Sequence, residues 1–145
     1  MKLIALLPIL LIGMSAPQNP TVLEVTINQV RSTKGQILLS VYSDPAQYPY
    51  KPFRTCPVSK DSLKNGQVKT VILGLQPGTY AMGLLDDENL SGDMECNIIG
   101  IPKEGFGFSN NPRTTLSKPD YDKLIFNVGP GTTRIDITVQ YKLRK

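Results

Sequence analysis

Val68-Lys69-Thr70-Val71-Ile72-Leu73-Gly74-Leu75-Gln76-Pro77-Gly78-Thr79-Tyr80-Ala81-Met82-Gly83-Leu84-Leu85 decides the fold class. The first half, Val68 to Leu75, is β-branched and apolar enough for a strand. Gln76-Pro77-Gly78 then turns the chain, because proline presets one backbone angle and glycine tolerates a positive φ. From Thr79 to Leu85 the residues Tyr80, Met82 and Leu84 fall on one face, the period-two pattern of a half-buried strand.

The same period recurs on both sides. Leu23, Val25 and Ile27 alternate with Glu24, Thr26 and Asn28, and after the turn Ser32-Thr33-Lys34-Gly35 the residues Ile37, Leu39 and Val41 alternate again. Residues 23–42 therefore read as a β-hairpin. Residues 43–66 hold Pro45, Pro49, Pro52 and Pro57, which marks a long surface connection with room for a short edge strand, closed by the turn signal Asn65-Gly66. Leu124, Phe126 and Val128 alternate next. Pro130-Gly131 turns the chain into Ile135, Ile137, Val139 and Tyr141. No segment has the period of an amphipathic helix. About seven short strands divided by Gly/Pro/Asn turns predict an all-β fold, a single antiparallel β-sandwich of immunoglobulin-like or transthyretin-like type.

The chain opens differently. Lys2 is followed by the apolar run Leu3 to Ile12 and by the small residues Gly13, Ser15 and Ala16, the order of a secretory signal peptide. The run is short of the roughly 20 residues that cross a bilayer. The expected organisation is a signal peptide over 1–15, a linker over 16–21 and one β-sandwich domain over 22–145, exported to the periplasm or secreted. No later segment is apolar enough to span a membrane. A formal net charge of +4, spread without a basic stripe or interleaved aromatics, argues against nucleic acid as a partner. The two cysteines, Cys56 and Cys96, read as one disulfide in an exported protein.

Chemistry concentrates in residues 86–95. Asp86, Asp87, Glu88, Asp93 and Glu95 lie within ten residues, and no Lys or Arg occurs between Lys69 and Lys103. Asp87-x-Asn89-x-Ser91-Gly92 has the spacing of the first half of a calcium loop, with Asp93 and Glu95 as later ligands. The twelfth position is Ile98, so the bidentate Glu of an EF-hand is missing. The expectation is a calcium site of extracellular type, with affinity on the order of 10⁻⁴–10⁻³ M. Its competitor is a solvated acidic turn, since Asp, Asn, Ser and Gly are also turn residues. Downstream, Gly105-Phe106-Gly107-Phe108-Ser109-Asn110-Asn111 suggests a shallow platform on which Phe106 and Phe108 stack a ligand that Asn110 and Asn111 hydrogen-bond. Its competitor has the two Phe side chains folded inward to plug the end of the sandwich.

The chain has no histidine, which removes the Ser-His-Asp and Cys-His arrangements and any zinc site with His. A carboxylate pair for glycoside hydrolysis, Asp86 or Asp87 with Glu104, is the one enzymatic route left. The reading is a non-enzymatic binding module with a peptide, glycan or protein partner. A structural or adhesive accessory domain is the alternative.

Two resemblances accompany this reading. Leu75-Gln76-Pro77-Gly78-Thr79-Tyr80 resembles the turn between two strands in transthyretin-like and carboxypeptidase-regulatory-like sandwiches. Over residues 22–141 the chain resembles the bacterial exported family called domain of unknown function 2141. The likeness is carried by Val30-Arg31-x-x-Lys34-Gly35, by Pro77-Gly78-x-Tyr80, by Asp87-Glu88-Asn89-x-x-Gly92 and by the string Gly100 to Asn111. The resemblance implies an exported β-sandwich and carries over no catalytic residue. The chain departs from the family pattern at Asp86, where His is common, at Leu90-Ser91, where Gly-Asn is common, and at Glu95, where Asp is frequent.

Overall fold

Alternating apolar residues bury themselves only if a second layer covers them, and here two sheets do so for each other. The computed structural model describes residues 19–114 and 117–142. The expected signal peptide over 1–15 lies outside the described residues, as does the start of the linker. The strands are β1 (Thr21–Asn28), β2 (Gln36–Tyr42), β3 (Arg54–Ser59), β4 (Val68–Leu73), β5 (Gly78–Asp87), β6 (Gly105–Phe108), β7 (Phe126–Val128) and β8 (Gly131–Thr138). One sheet has the order β4-β1-β8. The other has the order β3-β2-β5-β6, with β7 paired to the start of β5. The only helical element among the described residues is a 3-10 turn at Tyr121–Lys123. None there is long and apolar enough to cross a membrane.

The core lies between the sheets. Leu23, Val25 and Ile27 of β1 face Ile37, Leu39 and Val41 of β2, and all six are essentially inaccessible. Tyr80, Met82 and Leu84 from β5, Val68 and Ile72 from β4, and Ile137 and Val139 from the β8 segment complete it. Fully burying one such side chain contributes about 1.5–3 kcal/mol, so the alternating stripes supply most of the drive to fold.

Three expectations change in detail. Residues 23–42 are not a hairpin: β1 pairs with β4 and β8, whereas β2 pairs with β3 and β5. The connection 29–35 arches from one sheet to the other. Gln29 takes a left-handed backbone (φ 62°), and the Val30 N–H donates to the Gly66 carbonyl at 2.9 Å. Alternation names the inward residues, but it is identical for a hairpin and an arch. Second, the sandwich is not wholly antiparallel, because β1 and β8 run parallel over their full length, from Thr21↔Gly131 to Asn28↔Thr138. Third, the described residues hold eight strands, one of which, β6, forms inside the glycine-rich segment where no strand was expected.

Strand β6 fixes the placement of the platform residues. In its register Phe106 lies opposite Leu85 and Phe108 opposite Gly83, on the outer face of the larger sheet. Gly105 and Gly107 take the inner face. A Cβ on Gly105 would stand 2.6 Å from the Val139 side chain, and one on Gly107 would stand 2.7 Å from that of Ile137. The sheet edge closes on the β8 segment at a distance that admits only glycine, so the two phenylalanines point away from the core.

Candidate functional site

The outer face of the larger sheet carries a second apolar cluster. Tyr42, Ala81 and Leu124 are buried there, packed by Tyr48, Phe108 and Tyr121. These residues are on this face by parity: Tyr42 and Ala81 are register partners in β2 and β5, one step off the residues that face the core. Beside the cluster opens a groove of about 350 Å³, within the size range of ligand pockets. Its floor is Gly83, whose missing side chain leaves space between the rings of Phe108 and Tyr42, about 4 Å away on either side. Phe106 and Phe108 form one wall, with ring centroids 6.3 Å apart. Tyr42 and Tyr48 form another, edge to face at 5.1 Å.

Both tyrosines are held. The Tyr42 hydroxyl donates to the Pro49 carbonyl at 3.0 Å, and the Tyr48 hydroxyl donates to the Pro119 carbonyl at 2.8 Å. Burial, helped by neighbouring Tyr42 and Asp120, pushes the Tyr48 phenol up to about 12, so it stays a neutral donor. The rim includes Asp93 and Lys118.

A small finger overhangs the groove. Cys96 bridges Pro102, the Lys103 N–H donates to the Glu95 carbonyl, and the Gly100 N–H donates to the Asn97 carbonyl, both at 2.9 Å. The Asn97 side chain accepts from the N–H groups of Ile99 and Ile101. At its tip Ile98 and Ile99 stand in solvent, 104% and 69% exposed.

Of the platform residues, Phe106 and Phe108 line the groove and the two asparagines do not. Asn110 donates to the carbonyls of Lys123 and Ile125. Asn111 donates to Asp136 and accepts the Thr138 N–H at 2.7 Å, capping the free edge of β8. Both adopt positive φ, a conformation asparagine tolerates better than most residues. Ser109, which the sequence reading passed over, is fully buried and pins the segment. Its hydroxyl donates to the Leu124 carbonyl at 2.6 Å and accepts the Met82 N–H at 3.0 Å.

The acidic loop is organised around its own backbone. Asp87 ends β5 on the outer face and is fully buried. Its carboxylate accepts the N–H groups of Ser91 at 2.9 Å and Gly92 at 3.1 Å, and the Gln36 amide at 3.1 Å. Asn89 accepts the Ser91 N–H and donates to Glu95, while the Ser91 hydroxyl donates to the Asp93 carbonyl. Asp93 and Glu95 are exposed. Among the described residues no three His, Cys, Asp or Glu side chains stand close enough together to hold a metal ion. As placed, the five residues Asp87, Asn89, Ser91, Asp93 and Glu95 make a capped turn rather than a shell of converging oxygens.

Cys56 and Cys96 are both free thiols, which corrects the expected disulfide. Cys56 lies opposite Leu39 and packs against the core, whereas Cys96 lies in the finger over the outer face. The sheet separates them. Burial raises the Cys56 thiol above its ordinary pKa. Alkylation of the folded domain is expected to label exposed Cys96 many-fold faster than Cys56, with two thiols recovered per denatured chain. Recovery of none would restore the disulfide.

Asp86 belongs to a different network, at the closed end of the core. One carboxylate oxygen meets the Lys60 ammonium directly, and both side chains are buried to within 1%. The other oxygen accepts the Tyr141 hydroxyl at 2.5 Å. The Lys60 Nζ also donates to the Lys34 carbonyl at 2.5 Å. Tyr141 accepts the Arg31 N–H at 2.9 Å, and the Arg31 guanidinium lies over its ring at 4.3 Å. Arg31 in turn grips Glu88, whose carboxyl that hydrogen bond holds down at about 2. Glu104 accepts the Glu88 N–H at 3.0 Å. Asp86, Asp87 and Glu104 are thus all buried, and none of them lines the groove.

The family model described as "Uncharacterized protein conserved in bacteria (DUF2141)" matches residues 25–136, more than half of the chain. No curated protein and no solved structure matches the chain.

Proposed function

The chain belongs to this family of bacterial proteins, and from that premise we propose that it is an exported, non-enzymatic binding module that takes an apolar or aromatic side chain of an extended peptide into the groove over Gly83. The observation that carries the reading is the outward placement of Phe106 and Phe108. A sheet face exposed to water ordinarily alternates polar residues outward, yet here two phenylalanines and two tyrosines frame a cavity of about 350 Å³. A peptide fits better than a glycan because the two asparagines suited to sugar hydroxyls are committed to backbone groups. The apolar tip of the finger, Ile98 and Ile99, extends the surface beyond the groove as an extended chain requires.

Export is supported by the leader pattern of residues 1–16. The non-enzymatic reading is supported by the lack of histidine and by the commitment of Asp86, Asp87 and Glu104 to internal partners. A calcium ion at the 86–95 loop is a separate reading on which the groove does not depend, since Asp87 accepts the Ser91 and Gly92 N–H groups.

The test is an array of short peptides displaying Phe, Tyr or Leu, with a glycan array beside it, followed by titration calorimetry on the best binder. Phe108→Ala is expected to weaken that binder at least tenfold, about 1.4 kcal/mol, and also to lower the unfolding midpoint because Phe108 packs against the buried Tyr42 cluster, so binding is compared at a temperature where both chains are folded. Binding to glycans alone overturns the peptide assignment. Binding to neither array favours a purely structural accessory domain.

A further inference from the structure

The Lys60–Asp86 contact carries an inference independent of the groove. An amine and a carboxyl group touch inside the closed end of a sandwich, with side chains 1% and 0% exposed. Two strands place them there. Asp86 sits opposite Ile37 in the β2–β5 ladder, and Lys60 follows Ser59, the partner of Gln36 in the β2–β3 ladder. Val58 is the β3 residue level with Asp86, and Lys60 lies two residues beyond it on the same core-facing side, so its long side chain spans the offset to the carboxylate.

We propose that Lys60 and Asp86 condense into an intramolecular amide, a covalent cross-link that the folded chain makes from its own groups. The Lys60 ammonium first passes a proton to the Asp86 oxygen it touches, which frees the lone pair on Nζ; the nitrogen then forms a bond to Cγ of Asp86, and the bond from Cγ to the oxygen facing Lys60 breaks. Of the three protons on the ammonium, two leave with that oxygen as one molecule of water and one stays on the amide nitrogen. The positive and negative charges cancel, and no oxidant or reductant is required.

Three features of the site favour the step. The reactants are held in contact, and positioned groups of this kind reach effective molarities of about 10⁵–10⁸ M. Water is excluded, so the released molecule departs to bulk and hydrolysis is suppressed. Two buried charges, each of which the interior solvates poorly, are replaced by one neutral amide.

The surroundings suit the product as well as the reactants. The Lys34 carbonyl that now accepts from Nζ is placed to accept the single amide N–H. The Tyr141 hydroxyl donates to the other Asp86 oxygen, the one that becomes the amide carbonyl. It also faces the charge that develops on that oxygen during attack, as an oxyanion donor does. Burial and the Asp86 contact raise the Tyr141 phenol well above its ordinary range, so it keeps the proton it donates. Both polar groups of the new bond are thereby satisfied.

The experiment is intact-mass spectrometry of the purified folded chain, fresh and after prolonged incubation, with tandem sequencing of a proteolytic digest. The expected result is a mass one water below that of the sequence and a branched peptide joining Lys60 to Asp86. Lys60→Arg keeps the charge opposite Asp86 but supplies no nucleophilic amine, and it is expected to show the full mass. A wild-type chain at full mass after incubation overturns the proposal. So does a water deficit that persists in Lys60→Arg, because it would arise elsewhere in the chain.

Discussion

Asp86→Ala is expected to lower the unfolding free energy by about 3–5 kcal/mol, the usual cost of removing one partner from a buried ion pair. A domain of this size has on the order of 5–15 kcal/mol in total, so the variant should unfold far more easily in urea. The loss arises from what stays behind. The Lys60 amine remains in the core with only the Lys34 carbonyl to accept from it, and the Tyr141 hydroxyl loses its acceptor. Exposed pairs such as Arg134–Glu24 contribute a small fraction of this, because water solvates both partners when the pair is broken. The double variant Lys60→Met, Asp86→Leu removes both charges and should recover most of the loss caused by desolvation. If the two residues are cross-linked in the wild type, the double variant will still fall short of it by the contribution of the closed loop. Equal stability of Asp86→Ala and wild type would mean that Lys60 is hydrated, contrary to the buried arrangement.

Gly35→Ala is expected to cost about 2–5 kcal/mol, combining a left-handed backbone with a steric overlap. Gly35 has φ 66°, where a Cβ is disfavoured, and it lies where the arch from β1 enters β2. An added Cβ would stand 2.0 Å from the backbone carbonyl oxygen of Asp87 and 2.7 Å from Cα of Glu88. These are main-chain atoms at the end of β5, so no side-chain rotation relieves the contact. Either the arch or the Asp87 turn must move, and the turn begins the segment that leads to the finger. Urea unfolding measures the loss. Amide exchange at Ser91 and Gly92 locates it, and faster exchange there is the expected signature. A variant as stable as wild type would show that the arch gives way freely.

The inner stripes were legible in the sequence because burial at period two leaves a pattern that residue order alone can show. Leu23, Val25 and Ile27, and Ile37, Leu39 and Val41, all proved to be core. Their assignment to sheets was not legible. The parallel pairing of β1 with β8 joins residues more than a hundred positions apart, and no local signal encodes it. Two features of the sites were present as parity and overlooked. Asp86 continues the face of Tyr80, Met82 and Leu84, which places a carboxylate in the core and requires a buried cation. In Gly105-Phe106-Gly107-Phe108 the alternation itself says that small residues face one side and rings the other. The neighbouring β8 segment decides that the glycines go inward. The acidic loop admits two readings for a chemical reason. The oxygen-bearing side chains that surround calcium are also those that cap a tight turn, and spacing does not distinguish an ion from two N–H groups as the thing they surround.

The parallel registration of β1 and β8 also bears on how the domain carries load. The start of β1 and the end of β8 lie at opposite ends of one eight-residue ladder. At about 3.3 Å per residue the separation is roughly 23 Å. Tension applied between those two points drags the strands past each other lengthwise, so the rungs must yield together rather than one after another. The domain is therefore built to resist stretching along this axis, and it should give way far more readily when β4 is peeled sideways from the opposite edge of the same sheet.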